Sequence, residues 1–147
     1  MIDSVTIEIQ FDIQASQQRV WEAVVAETTN WWRKEFFATK NPQGIYLEPQ
    51  AGGRLYEQAE GDAGLLWYTV TEVLPPSILG MAGHLAPPYG GPATSMFRLE
   101  LTEKGGGSCQ VKLSDHIFGV VTPKTKDVIE SGWRTLFVDG LKPYCEQ

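Results

Sequence analysis

The chain has 147 residues, 42 % apolar and 20 % charged, the size and balance of one globular domain, since single cores run to about 100–200 residues. Its 12 basic and 18 acidic residues leave a net charge of −6, and no basic run offers the footprint that nucleic-acid phosphates need, so that partner is set aside. No apolar run approaches the roughly 18–20 residues of a membrane span. The start, MIDSVTIEIQFDI, lacks the basic head and apolar block of a secretion signal. Cys109 and Cys145 match no metal or redox spacing, so free thiols and a cytoplasmic location are expected.

The first element is a strand. In SVTIEIQFDIQ, Val5, Ile7, Ile9, Phe11 and Ile13 alternate with Thr6, Glu8, Gln10, Asp12 and Gln14, a period of two that means one buried and one wet face. The period then changes in ASQQRVWEAVVAE, where Ser16 is placed to cap a short helix with Val20, Trp21, Val24 and Val25 on one side. TTNWWRKEFFATKNPQG reads as a second short helix running into a loop. Five further strands are predicted at 45–49, 53–60, 65–74, 77–85 and 94–104, with Gly52-Gly53 and the Pro75-Pro76 pair as punctuation. A sixth, 108–118, follows the hairpin loop Gly105-Gly106-Gly107. Pro123 then suits the first turn of a closing helix over 123–141.

One strand, two short helices, six consecutive strands and a long helix make an α+β domain with an antiparallel sheet. Only the last helix is long enough to cover that sheet. It carries Gly132 and Gly140, and each glycine inside a helix costs about 1 kcal/mol relative to alanine. On a wheel of about 100° per residue, both fall in a wide apolar arc with Val128, Ile129, Trp133, Leu136 and Phe137. The expectation is that helix backbone presses on the sheet at both glycines, and that the arc also meets a second apolar partner such as segment 31–37.

The fragments FDIQASQQRVWEAVVAETTNWW, PQAGGRLYE, TVTEVLPPSIL, TEKGGGSCQVKLSDHIFG and SGWRTLFVDGLK come in an order that resembles the activator-of-heat-shock-protein-ATPase-like branch of the START and birch-pollen-allergen (SRPBCC) superfamily. The likeness runs over about residues 5–143. It implies a single helix-grip domain over 1–147, in which a seven-stranded curved antiparallel sheet wraps a long C-terminal helix around an apolar cavity. Members bind lipids, sterols, polyketides or plant hormones, and a few are enzymes, so the fold leaves function open.

Candidate chemistry is sparse. No HExxH cluster, GxSxG elbow or phosphate loop is present, and neither a metal nor a cofactor is expected. Alternation from Cys109, Val111 and Leu113 turns Asp115 toward the covered face, where burial would raise its pKa and suit it for acid or base work; a turn or capping role is the alternative. His84 and His116 are read as surface or turn residues, and Arg54 and Tyr56 as a polar anchor of ambiguous facing. The aromatic set carries more weight. The resemblance places Trp31, Trp32, Phe36 and Phe37 over the cavity, with Trp67, Met81, Phe97, Val111, Leu113 and Trp133 lining it. The leading expectation is binding of a small apolar or amphipathic molecule, by a monomer or a homodimer. The alternatives are a chaperone-associated interaction domain and a cyclase- or hydrolase-type enzyme using Asp115.

Overall fold

A computed structural model describes residues 2–147 of the chain. The elements run β1 (Asp3–Ile13), α1 (Gln17–Ala26), α2 (Thr28–Trp31), a 3-10 turn at Lys34–Phe36, β2 (Pro42–Leu47), β3 (Arg54–Ala59), β4 (Gly64–Leu74) and β5 (Ile78–Leu85). After a second 3-10 turn at Pro87–Tyr89 come β6 (Ala93–Lys104), β7 (Ser108–Gly119) and α3 (Pro123–Leu136), which continues through a π turn at Phe137–Leu141 into α4 (Lys142–Cys145). The sequence places a strand at 45–49, but β2 lies three residues earlier at its start and stops short of Pro49.

The strands form one sheet in the order β1-β7-β6-β5-β4-β3-β2, with every neighbouring pair antiparallel. The first strand closes on the last, from Asp3 opposite Gly119 to Ile13 opposite Cys109. Ile7, Ile9 and Ile13 are buried while Thr6, Glu8, Gln10 and Asp12 stay wet, as the alternation requires. Each such buried isoleucine stabilises the fold by about 1.5–3 kcal/mol. Register shifts interrupt the β2–β3, β3–β4 and β4–β5 pairs, and bulges of this kind bend a sheet and increase its twist. The result is the expected curved sheet with the C-terminal helix across its concave face.

Local signals explain the helix starts. Ser16 Oγ accepts the Arg19 N–H at 3.1 Å to cap α1, which buries Val20, Trp21, Ala23 and Val24. Thr122 and Thr125 cap α3 reciprocally, with Pro123 in its first turn.

The two helix glycines behave differently from the expectation. A Cβ on Gly132 would meet the Phe36 ring at 3.5 Å, an ordinary contact, and no part of the sheet comes near it. A Cβ on Gly140 would lie 2.9 Å from the Trp31 carbonyl oxygen, so this glycine does permit a close approach, but to α2. Val128, placed in the apolar arc by the wheel, is 60 % exposed. The reason is geometric: aromatic rings span the space between helix and curved sheet and hold the backbones apart. Both glycines instead face the second partner anticipated for the helix, the segment around Trp31 and Phe36.

Two substitutions separate these environments. Gly132→Ala is expected to be neutral or to stabilise by up to about 1 kcal/mol through helix propensity. Gly140→Ala is expected to destabilise by about 1–3 kcal/mol, because the new methyl meets fixed backbone. Chemical denaturation of the two variants beside the parent protein measures both.

Candidate functional site

Between the concave sheet and α3 lies a narrow slot of about 20 Å³, room for about one water molecule. Trp31, Trp32, Met81, Phe97, Trp133 and Phe137 supply half of its wall, and Thr28 with aliphatic residues from α1 and the sheet supplies the rest. The expected cavity is therefore nearly filled, and what fills it is aromatic. Trp133 packs on Phe97 with ring centroids 4.8 Å apart and on Phe137 at 5.9 Å. Phe137 meets Trp31 at 5.3 Å, Trp31 meets Trp32 at 5.8 Å, and Trp32 meets Trp67 edge-on at 5.5 Å. These spacings suit favourable aromatic pairs, each contributing about 0.5–1.5 kcal/mol beyond area burial.

Each end of this ring series is anchored on a buried carboxylate. Trp133 Nε1 donates to Asp115 Oδ2 at 2.8 Å, and Ser95 Oγ donates to Asp115 Oδ1 at 2.7 Å. Tyr68 lies 2.6 Å from the same serine oxygen; since the serine hydrogen goes to Asp115, the tyrosine hydroxyl donates to Ser95. At the far end Trp67 Nε1 donates to Glu57 Oε1 at 3.2 Å. Glu57 also accepts the Ala38 N–H at 2.9 Å, the Thr39 N–H at 2.6 Å and the Thr39 hydroxyl. Asp115 is fully buried and Glu57 is 1 % exposed, and neither forms a salt bridge among the described residues.

Their titration differs with their donors. Burial pushes the Asp115 carboxyl above its usual range, and the bonds from Ser95 and Trp133 offset this only in part. Burial also opposes ionisation of Glu57, but the bonds from Thr39, Ala38 and Trp67 together hold it below the usual value. Tyr68 is pushed well up by burial and by the Asp115 charge, so it stays a hydroxyl.

Of the residues singled out in the sequence, Trp31, Trp32, Met81, Phe97 and Trp133 border the slot. Phe36, Phe37 and Trp67 are partly buried around it, Phe36 against the helix at Gly132 and Trp67 between Trp32 and Glu57. Val111 and Leu113 are fully buried on β7 but do not reach it. Asp115 faces inward as alternation required, with both oxygens occupied. Arg54 stacks on the Tyr56 ring at 4.5 Å and pairs with Glu48 at 2.8 Å on the outside, so neither serves the interior. His84 and His116 are exposed.

Phe137, Tyr68, Ser95 and Glu57 were missed. Alternation with Phe97 and with Leu55 does turn Ser95 and Glu57 inward, so that signal was available. Tyr68 had none. The register shift between β3 and β4 sets Leu55 opposite Tyr68 but Tyr56 opposite Leu66, so Trp67 is the extra residue of a bulge. Consecutive side chains Trp67 and Tyr68 thereby both reach the interior.

Outside the slot lies an open cleft of about 410 Å³ between residues 30–35 and the end of the C-terminal helix. Trp31 and Trp32 border both spaces and form the wall between them. Near this cleft Glu27 accepts from Arg19 at 2.8 Å and from the Tyr144 hydroxyl at 2.5 Å, which ties α1 to α4. Cys109 and Cys145 are free and buried, and burial pushes both thiols up to about 11, leaving them protonated and unreactive. Among the described residues no three His, Cys, Asp or Glu side chains gather as a metal site would need, and no helix is long and apolar enough to cross a membrane.

The chain matches no protein-family model and no curated protein by sequence. Its structure is similar to Mll3558 from Rhizobium loti, at 17 % identity and a TM-score of 0.72 over 94 % of this chain and 95 % of that one. It is similar to Ara h 8.0201 at 12 % identity and a TM-score of 0.72, covering 97 % and 98 % of the two chains. An anthrahydroquino-Gama-pyrone synthase, Txn09, described as complexed with SUM, matches at 21 % identity and a TM-score of 0.55 over 75 % of each chain. At such identities the likeness establishes the fold alone, an α+β helix-grip architecture. It says nothing of which branch this chain represents.

The two carboxylates give opposite pH dependences. Asp115, raised on folding, contributes stability that is complete below the ordinary aspartate pKa of about 3.9 and is lost as pH rises through its raised value. Glu57, lowered on folding, contributes stability that is complete above about 4.3 and is lost as pH falls through its lowered value. The stability deficit of Asp115→Asn relative to the parent should therefore shrink from acid toward neutral pH, and that of Glu57→Gln should grow. Thermal melts of the three proteins across that range check both slopes.

Proposed function

We propose that this protein binds a small apolar or amphipathic molecule between its sheet and its C-terminal helix. One observation carries the reading: Trp31 and Trp32 border both an apolar slot in the interior and an open outer cleft. Binding pockets favour apolar, aromatic walls with a few fixed polar groups, and these walls have that chemistry. The slot of about 20 Å³ is smaller than any such ligand, so binding displaces rings. Trp31 and Trp32 sit on a four-residue helix and the turn after it, next to the partly buried Phe36 and Phe37, and short segments of this kind yield before the sheet does. The same helix-grip fold in the synthase Txn09, described as complexed with SUM, fits such a role. The protonated, unpaired thiols fit a reducing compartment such as the cytoplasm.

Membership of the ATPase-activator-like branch rests on the order of sequence fragments, and co-purification with a chaperone ATPase is its test. A catalytic role for Asp115 has less support, because both its oxygens are bonded within the protein and it does not border the slot.

Native mass spectrometry of freshly purified protein, compared with the same sample denatured, tests binding directly. A small mass lost on denaturation is the expected result. Adding that ligand back should raise the melting temperature and slow hydrogen exchange in residues 28–37. A sample with no bound mass, and no stabilisation by any of a panel of flat or aliphatic amphiphiles, would overturn the reading.

A further inference from the structure

The wall of the inner slot changes in chemistry from one side to the other. Of its residues only Trp31 and Trp32 also border the outer cleft. Away from the cleft, strands β3, β5 and β6 contribute Leu55, Leu79, Met81, Phe97 and Leu99. None of these side chains carries a nitrogen or an oxygen. Leu79, Met81, Phe97 and Leu99 lie on central strands, opposite partners on both flanks, so their backbone N–H and C=O groups are engaged within the sheet.

The donors that do border the slot are also engaged. Thr28 Oγ1 donates to the Val24 carbonyl and Trp31 Nε1 to the Ala23 carbonyl, both at 2.8 Å, and Trp133 Nε1 donates to Asp115. Trp32 Nε1 reaches the Phe36 carbonyl only at 3.5 Å, where a hydrogen bond is weak. Trp32 is therefore the ring held least firmly. It stands on the cleft side, so an N–H freed by its movement serves the mouth of the slot and not its depth. The cleft supplies what the slot lacks: Asn30, Arg33, Lys34, Glu35, Asp139 and Tyr144 bring donors and acceptors to its surface.

Building on the binding function proposed above, we infer that the ligand is an aliphatic amphiphile, polar at one end only and bound tail first. Its uninterrupted hydrocarbon end enters past Trp32 and lies against the sheet, while its polar end stays in the outer cleft. A second polar group at the far end of the chain is carried to a wall with no donor. There it loses its water without gaining a partner, which lowers affinity by about tenfold or more.

Two uncharged isomers test this: 1,2-decanediol, with both hydroxyls at one end, and 1,10-decanediol, with one at each end. Titrated calorimetrically into the full chain, the first should bind as a single molecule per chain and at least about tenfold more tightly than the second. Met81→Gln, which sets an amide donor in the sheet-side wall at similar volume, should narrow that gap. Equal or tighter binding of 1,10-decanediol overturns the inference and leaves ligand binding standing. Uptake of several 1,2-decanediol molecules per chain assigns the preference to partition onto exposed apolar surface and overturns it likewise. Failure of both isomers to bind overturns it too, and the bound mass sought above then decides the binding function separately. The isomer comparison uses the parent protein, so it holds even where the variant fails to fold.

Discussion

A curved seven-stranded sheet exposes a concave apolar face that a helix backbone cannot touch along its whole length, and the molecule is organised around bridging that gap. Trp133 is the central bridge. It projects from the last turn of α3, packs on Phe97 of β6 and on Phe137 of the π turn that follows, and donates its indole N–H to Asp115 on β7. The ring supplies apolar contact while the N–H fixes the helix against one strand at one position. A purely aliphatic contact would cover the sheet as well but would not specify the rotation of the helix about its axis, since apolar attraction is non-directional. Asp115 is what gives that contact its direction, and its burial is the penalty attached.

The same logic operates at the far edge with different parts. A bulge in β4 turns Trp67 inward beside Tyr68, so the sheet delivers two large polar-tipped rings at one level. Tyr68 joins the Asp115 group through Ser95, and Trp67 joins Glu57. Buried carboxylates without a cation are expensive to maintain, and here each is compensated by several donors from different elements. Glu57 thereby ties the connection after the 3-10 turn, at Ala38 and Thr39, to β3 and β4. No buried side-chain nitrogen or oxygen among the described residues is left without a partner. The interior is thus polar at its ends and aromatic along its length.

Backbone hydrogen bonding is divided just as unevenly. Six antiparallel strand pairs hold the sheet, whereas α2 is four residues long and is followed by a single 3-10 turn. The C-terminal helix changes to a π turn where it passes this segment, and Gly140 there lets helix backbone meet the Trp31 carbonyl. π turns of this sort recur at functional positions in helices. Helix end, α2 and the two tryptophans therefore make one unit, standing between the outer cleft and the inner slot.

By itself the sequence determined the element order, the α+β class, the inward face of β1 and β7 and the helix that covers the sheet. Those follow from period and punctuation, which are local: Ile7, Ile9 and Ile13 alternate whatever lies beyond them, and Asp115 inherits its facing from Val111 and Leu113. Ser95 and Glu57 were legible by the same rule. The tertiary structure alone decided what depends on distance between elements. Gly132 and Gly140 are equivalent on a helical wheel, yet only one meets fixed backbone, because the neighbour is set by how α2 packs. Trp67 reaches the interior beside Tyr68 only because a bulge breaks the alternation that would have turned it out. Whether a cavity is open or filled belongs to the same class: the rings that could line it are the rings that fill it, and their choice is made by the separation between sheet and helix, which no local period encodes.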